Sequence, residues 1–259
     1  HMRLVQLSDP HLVAFNQTFV RDRNPLLNFQ FALQQASSHS PNLILITGDL
    51  CHDETWGGYV LIRDQLQNLP VSVKCAVLPG NHDNSLFINS ILGRHAITAP
   101  ADLVIDGVRI ILLSSHLPAR VMGLIGHSQL QWLEKRLSDN QQSGKPLVIA
   151  LHHPPLVIGS SWLDELGLLD GSELMRILTP IQELRAVLFG HIHQHWRGVL
   201  PGRPDVSVLG CPSTLCSFTA VQPCPLGRED DPGGRLVELD KKGNFFEQVL
   251  RWPDSVVNQ

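Results

Sequence analysis

Five apolar segments of strand length in this chain each end just before residues that can bind a metal ion. Residues 4–7 precede Asp9 and His11, residues 43–47 precede Asp49, residues 77–78 precede Asn81 and His82, residues 147–151 precede His152 and His153, and residues 186–189 precede His191 and His193. In a mostly parallel sheet the carboxyl ends of the strands share one edge, so these side chains are expected to converge on a single crevice. The pattern therefore predicts a metal centre.

Alternating strand and helix patterns predict an α/β fold. Predicted strands cover residues 3–8, 43–47, 71–78, 110–113, 147–151 and 186–189, and predicted helices cover residues 25–38, 58–69, 85–92, 127–139 and 172–178. Further strand patterns at 199–200, 206–209, 235–240 and 245–252 make the last part β-rich. This order indicates two sheets packed face to face with helices outside. No repeat or low-complexity linker interrupts the chain, so residues 1–259 are predicted to form one domain, with His1-Met2 as a remnant of cloning.

The candidate ligands are two aspartates, one asparagine and four histidines. They are Asp9, His11, Asp49, Asn81, His152, His191 and His193. Carboxylate, amide and imidazole donors suit hard or borderline divalent metals, and the absence of thiolates from the set argues against a structural zinc cage. Seven ligands are too many for one ion but sufficient for two if one carboxylate is shared. Asp49 is the expected bridge because it follows the predicted central strand of the first half.

A site for two such ions indicates a hydrolase that acts on phosphate esters. Divalent ions about 3.5–4 Å apart can clamp a phosphoryl group and share a hydroxide, and they lower the pKa of bound water toward about 7. Two divalent cations, two aspartates and one bridging hydroxide carry a net charge of roughly plus one, which complements a singly negative phosphate diester. The sequence contains no GxxxxGK[ST] loop that would cradle a nucleotide in another way.

Composition argues against several other partners and compartments. The formal net charge of −4 gives no electrostatic footprint for nucleic acid or for an anionic membrane surface. No apolar stretch approaches the roughly 20 residues needed to span a bilayer, and the first strand begins too early to leave room for a signal peptide. The five cysteines match no CxxC pattern, which favours a reduced, cytoplasmic protein. A zinc site at Cys211, Cys216 and Cys224 is the alternative, but free thiols are favoured.

The order of these motifs resembles that of a known family. Asp9-Pro10-His11, Gly48-Asp49, Gly80-Asn81-His82-Asp83, His152 and Gly190-His191-Ile192-His193 follow one another as in the calcineurin-like metallophosphoesterases. Further stretches resemble the bacterial class III cyclic-AMP phosphodiesterases. They are Leu151-His152-His153-Pro154-Pro155, Ser161-Trp162-Leu163-Asp164, Gly190-His191-Ile192-His193-Gln194, Pro212-Ser213-Thr214 and residues 234–239. The resemblance covers almost the whole chain.

The resemblance implies a fold, a reaction and a role for each site residue. The family fold is a four-layer αββα sandwich of two mixed sheets. One metal would be bound by Asp9, His11, Asp49 and His193, and the second by Asp49, Asn81, His152 and His191. Asp49 and His82 would be the catalytic residues, with His82 assisting the leaving 3′-oxygen. The substrate would contact His11, Asn81, His82 and His193. The two ions would be iron or manganese, with zinc as an alternative.

Some positions depart from the family pattern or have two readings. Ser114-Ser115 stands where Asp-Ser is common, Gly126 stands where a helix-capping serine is common, and residues 222–233 diverge most.

His153 is expected to pack or hydrogen-bond behind the site. His195 lines the mouth or lies on the surface, and Trp162 anchors its loop on the core or stacks on a purine, with anchoring favoured. The remaining histidines are expected to be mainly solvated. They are His39, His52, His95, His116 and His127.

The sequence thus predicts a cytoplasmic metal-dependent phosphodiesterase that hydrolyses 3′,5′-cyclic nucleotides, chiefly cyclic AMP to the 5′-nucleotide, by a metal-bridging hydroxide. An alternative keeps the centre and changes the substrate to glycerophosphodiesters, 2′,3′-cyclic nucleotides, nucleotide pyrophosphates or phosphomonoesters, because fold alone does not fix function. A remote alternative is a non-catalytic scaffold. The predicted partner is a small cyclic nucleotide rather than nucleic acid or membrane, and a homodimer is compatible with the family.

Overall fold

Two six-stranded sheets form the middle of the structure, a computed structural model that describes residues 1–16, 18–142 and 144–254. The strands are β1 Met2–Leu7, β2 Leu43–Thr47, β3 Lys74–Leu78, β4 Ile97–Thr98, β5 Ala101–Ile105, β6 Val108–Leu112, β7 Leu147–Ala150, β8 Leu184–Phe189, β9 Trp196–Leu200, β10 Arg203–Gly210, β11 Gly233–Leu239 and β12 Phe245–Arg251. The helices are α1 Pro25–Ser37, α2 Trp56–Gln67, α3 Ser85–Phe87, α4 His127–Leu137, α5 Ser161–Asp164 and α6 Gly171–Leu178, with a π turn at Ile88–Leu92 and a 3₁₀ turn at Asn140–Gln142.

Both sheets are mixed: parallel strands form the centre of each, and antiparallel pairing occurs at one edge of the first sheet and at both edges of the second. The first sheet has the order β12-β11-β1-β2-β3-β4, in which β1 to β4 are parallel and β11 runs antiparallel to both β1 and β12. The second has the order β5-β6-β7-β8-β10-β9, in which β6, β7, β8 and β10 are parallel and the outermost strands are antiparallel. Parallel neighbours place their carboxyl ends at the same edge of each sheet.

Alternate residues of each central strand explain how the layers stack. In β2, Leu43 and Leu45 belong to the apolar core between the two sheets, whereas Ile44 and Ile46 pack with Phe29 of α1 on the outer face. The second sheet is covered on its own outer face by residues of α4 and α6. A strand buried on both faces needs an unbroken aliphatic run, which is the pattern in the sequence. The predicted sandwich of two mixed sheets flanked by helices is confirmed.

Several element boundaries differ from those predicted. The third strand begins at Lys74 rather than at residue 71, because residues 70–73 form a turn in which Val73 N donates to Pro70 O. The predicted helix over 85–92 divides into one α turn followed by a π turn. The two-residue strand β4 was not predicted, since a segment so short shows no periodicity. Among the described residues, no helix combines the length and the apolar character needed to cross a bilayer.

One buried ion pair holds the β5–β6 hairpin to the helix layer. Arg109 in β6 is almost fully buried and donates two hydrogen bonds to Asp102 in β5, at 2.9 and 2.7 Å. Arg136 of α4 donates to the same carboxylate at 2.8 Å. Burial acts to raise the pKa of Asp102, but the bonds from the two arginines outweigh it and hold this pKa below its usual value.

Replacing Asp102 by Asn should lower the free energy of unfolding by about 3 kcal/mol, because it leaves the buried Arg109 charge without its partner. Chemical denaturation at neutral pH measures the change. Asp205→Asn is the matched control, since Asp205 also pairs with an arginine but its side chain is 59% exposed, and its effect should be much smaller. Equal losses in the two variants would show that the buried pair has no special role.

Candidate metal centre

The seven candidate ligands lie together where strands of both sheets end. Three segments come from the first sheet and follow β1, β2 and β3; two come from the second and follow β7 and β8. They carry Asp9 with His11, Asp49, Asn81, His152, and His191 with His193, in that order. The two sheets face each other, so the structure brings together residues that are distant along the chain.

Asp49 occupies the middle of the cluster. Its Oδ2 lies 3.6 Å from His11 Nε2 on one side and 3.4 Å from His152 Nε2 on the other. His11 Nε2 in turn lies 3.3 Å from His193 Nε2. On the other side, His152 Nε2 lies 3.2 Å from Asn81 Oδ1. The donors thus form two overlapping groups that meet at one carboxylate.

Atoms at the centre of the cluster lack ordinary partners. Asp9 Oδ1 is buried and accepts no hydrogen bond from the described residues, although it lies 3.3 Å from His193 Nε2. The donor atoms of Asp9, His11 and His193 all lie within 4.8 Å of one another, as do those of Asp9, Asp49 and His152. Buried lone pairs that face one another repel unless a proton or a cation lies between them. The residues therefore fit a pair of divalent cations.

Each carboxylate uses one oxygen for structure and directs the other at the centre. Asp9 Oδ2 accepts from the backbone N–H of His191 at 3.0 Å, and Asp49 Oδ1 accepts from that of His82 at 2.9 Å. Two of the histidines follow the same rule: His152 Nδ1 donates to Thr47 O at 2.7 Å and His193 Nδ1 to Cys216 O at 2.9 Å. These bonds fix the rings so that Nε2 faces inward, as is usual for histidines that bind metals.

The backbone of the ligand loops is strained. Five of the seven candidate ligands have positive φ, between 49° and 74°, in the left-handed region that residues other than glycine rarely adopt. They are Asp9, His11, Asp49, His191 and His193. Such strain costs of order 1–3 kcal/mol for each residue and is typical of functional sites. Neighbouring loops also pack tightly: a Cβ atom added to Gly80 would lie 2.2 Å from Asp49 Oδ1, so only glycine fits there.

The charges of the cluster favour a cation. Burial acts to raise the pKa of Asp9 and Asp49, but the adjacent histidines outweigh it and lower both. Burial alone would lower the pKa of His152 and His193, yet the aspartates raise these values to about 9 and about 10. Two buried carboxylates therefore draw positive charge to the donor atoms around them, and a proton or a metal ion can supply it.

Two other candidate ligands are held as neutral imidazoles. Burial lowers the pKa of His11 to about 3 and, with the nearby charge of His152, that of His191 to about 4. Neutral imidazole is the form that coordinates a metal, so these two rings are ready to bind.

His82 lies at the rim of the cluster, beside His52, which the sequence predicts to be solvated. His82 Nδ1 donates to the backbone carbonyl of His52 at 2.8 Å, and the two rings stack with centroids 5.0 Å apart. His52 Nδ1 in turn lies 3.1 Å from His11 Nδ1. His52 is therefore half-buried at the edge of the cleft and placed more specifically than the expected solvated position. Its position three residues after Asp49 was the available signal.

Other histidines and Trp162 are also placed more specifically than predicted. His116 Nδ1 donates to Gly80 O at 2.9 Å, so this ring too is not simply solvated. His153 is buried behind the site between Ser115 Oγ and Val121 O, as expected, and Ser115 is one of the two serines in the divergent pair. His195 is buried and contacts Arg235, so it neither lines the mouth nor lies on the surface, and both readings of this residue are wrong.

The loop that carries Trp162 is anchored by Leu163, which is 1% exposed, whereas Trp162 itself is 51% exposed. The interpretation of Trp162 as an anchor is therefore wrong.

The cysteines contribute no site. All five are free and buried, and within the described part of the chain no group of three potential metal ligands includes a cysteine. The alternative of a zinc site at Cys211, Cys216 and Cys224 therefore has no support.

Comparison with known proteins identifies a family, relatives and a solved structure to which this chain is similar. The calcineurin-like phosphoesterase family matches residues 2–195. A probable cyclic nucleotide phosphodiesterase of Synechococcus sp. strain WH7803 is 49% identical over 96% of each chain. The 3′,5′-cyclic adenosine monophosphate phosphodiesterase CpdA of Escherichia coli K12 is 32% identical over 98% of this chain and 91% of its own. A dimetal phosphatase from Danio rerio has a similar fold, with a TM-score of 0.65 at 13% identity over 97% of this chain and 99% of its own.

Replacing His52 by Leu should weaken metal binding by about 10–100-fold, because His11 Nδ1 loses the acceptor that holds its ring. His52→Asn should largely restore binding, since its amide oxygen can stand near the position of Nδ1. Competition with a chelator, followed by elemental analysis, measures the retained metal. His127→Leu, a change at an exposed histidine, is the control. Unchanged retention in His52→Leu would show that His52 does not orient His11.

Proposed function

The chain belongs to the calcineurin-like phosphoesterases, and we propose that it hydrolyses 3′,5′-cyclic nucleotides, with cyclic AMP as the principal substrate and the 5′-nucleotide as the product. The observation that carries the proposal is the pair of donor groups that meet at Asp49 on the floor of an open cleft. The names of the two relatives, similar over almost their whole length, support the substrate class. The enzyme is a binuclear metallophosphodiesterase.

Two metal ions would be held by the two overlapping donor groups. Asp9, His11, Asp49 and His193 would hold one ion, and Asp49, Asn81, His152 and His191 the other. When bound, the ions supply Lewis-acid stabilisation of the phosphoryl oxygens and lower the pKa of water to about 7. We propose iron or manganese, because the donors are oxygen and imidazole nitrogen without thiolate, and zinc is an acceptable substitute.

The chain's own residues orient the substrate and assist the leaving group. His82 donates through Nδ1 to His52 O, which directs its Nε2 to the cleft, where a proton carried on Nε2 passes to the 3′-oxygen as the ester bond breaks. Asp49 accepts from the His82 backbone, so the shared carboxylate also fixes the position of this histidine. Asn81, His11 and His193 line the same cleft and are proposed to contact the phosphate.

The state of the cysteines bears on the compartment. We propose a cytoplasmic location because the five cysteines are all free, as is usual in reducing compartments. A homodimer, and the expectation that the protein does not bind nucleic acid, stay predictions.

The proposed reaction is tested by chromatographic identification of the product from cyclic AMP, with iron, manganese and zinc added in separate assays. The expected product is 5′-AMP. Asp49→Asn should abolish turnover, since it weakens the ligand common to both ions while keeping the shape of the side chain. The panel should include glycerophosphodiesters, 2′,3′-cyclic AMP, a nucleotide pyrophosphate and a phosphomonoester. Preferential hydrolysis of any of these, measured by kcat/KM, would replace the proposed substrate, and full activity in Asp49→Asn would refute the shared-ligand mechanism.

A variant at His82 separates proton transfer from metal binding. His82→Ala should retain both metal ions and lose rate by roughly 10²–10⁴-fold, because it removes only an acid–base group. Elemental analysis and kcat are measured on the same preparation, with His95→Ala, at an exposed histidine, as the control. Parallel loss of metal and rate would show that His82 is a ligand and not an acid.

A further inference from the structure

The cleft above the candidate metal centre has two sides of different character. Both sides share His52, Asn81, His82 and Val121. On one side the wall is largely apolar and includes Trp162, Leu163, Leu166 and Phe218. On the other side it is polar and includes Asp53, Glu54, His116 and Arg120. A cyclic nucleotide whose phosphate lies at the shared residues must place its base on one side or the other.

Phe218 gives the apolar side a fixed aromatic surface. Its ring lies parallel to that of His193, with an interplanar angle of 5° and centroids 4.0 Å apart. Its backbone N–H donates to His193 O at 3.1 Å, and the guanidinium of Arg21 lies 5.1 Å from the ring centroid. These contacts set Phe218 at a constant distance from the metal centre.

Trp162 lies beside Phe218 on a short helix that hydrogen bonds and a buried leucine hold in place. The Asp164 carboxylate accepts from the backbone N–H groups of Ile158 and Gly159, at 2.7 and 3.1 Å, and Leu163 is buried in the core. The indole itself remains 51% exposed and meets Phe218 edge to face, with centroids 5.3 Å apart. A large aromatic group held exposed by a rigid support is well placed to stack on a flat ligand.

We propose that Trp162 and Phe218 form the subsite for the base of the nucleotide, with Trp162 stacking on the purine. The proposal rests on the proposed function, because it takes the phosphate of a cyclic nucleotide to lie at the metal centre. The polar side of the cleft then receives no base. Stacking on an aromatic side chain tolerates different bases, so this subsite selects for a nucleobase and not for adenine over guanine.

The chain supplies a matched control for this tryptophan. Trp56, at the start of α2, is 52% exposed and meets Phe87 edge to face, with centroids 5.2 Å apart. It has the same residue type, exposure and aromatic partner as Trp162 but lines neither side of the cleft. Trp56→Ala should therefore leave the kinetics unchanged.

The kinetic test compares two substrates, cyclic AMP and the base-free ribose 3′,5′-cyclic phosphate. Trp162→Ala should lower kcat/KM for cyclic AMP by roughly 10–100-fold, mainly through KM. It should leave kcat/KM for the base-free diester nearly unchanged. Trp162→Phe should keep most of the activity toward cyclic AMP, because it retains an aromatic face. Equal losses on both substrates would overturn the proposal, since they would show that Trp162 supports the centre and not the base.

Binding of 5′-AMP and ribose 5-phosphate, measured by calorimetry, gives a readout independent of turnover. The native protein should bind 5′-AMP more tightly, and Trp162→Ala should remove most of that preference. Equal binding of the two by the native protein would overturn the subsite even if cyclic AMP is hydrolysed. Failure of the native protein to hydrolyse cyclic AMP with any of the three metals would instead refute the proposed function.

Discussion

The centre depends on hydrogen bonds that join the ligand loops of one sheet to those of the other. Asp9, after β1, accepts from the backbone of His191, after β8, and His152, after β7, donates to Thr47 at the end of β2. Each bond crosses from one sheet to the other and orients a candidate ligand at the same time. Neither sheet alone would hold a complete donor group, so packing of the two sheets and formation of the site are one event.

The same arrangement explains how two buried carboxylates are tolerated. Isolated buried charges are costly, and burial pushes the pKa of Asp9 and Asp49 upward. The surrounding imidazoles reverse that tendency, and each carboxylate also receives a backbone N–H. The strained backbone of the ligands is a second unfavourable contribution to the free energy of folding. The rigid strands that precede the ligands hold the backbone in this conformation. A site of this kind is stable only within a large, well-packed fold, and four layers provide one.

Much of the fold and of the site could be predicted from local patterns. The strands at 43–47 and 147–151 stand out because both of their faces are buried, and the ligands stand out because they follow such strands directly. Positions set by tertiary contacts could not be predicted in this way. The role of His52 depends on the position of His11. Trp162 is exposed because Leu163, rather than Trp162, anchors the loop in the core. The edge strand β4 depends on pairing with β3 rather than on its own two residues.

The pairing of β1 with β11 has a consequence for how the chain is made. All seven candidate ligands lie before residue 194, yet the first strand reaches its antiparallel neighbour only when residues 233–239 are available. During synthesis β1 emerges well before β11 and keeps one edge open until residues 233–239 have followed it. Open strand edges promote association between nascent chains, and such distant pairing slows folding. A strand that emerges long before its neighbour is thus protected late.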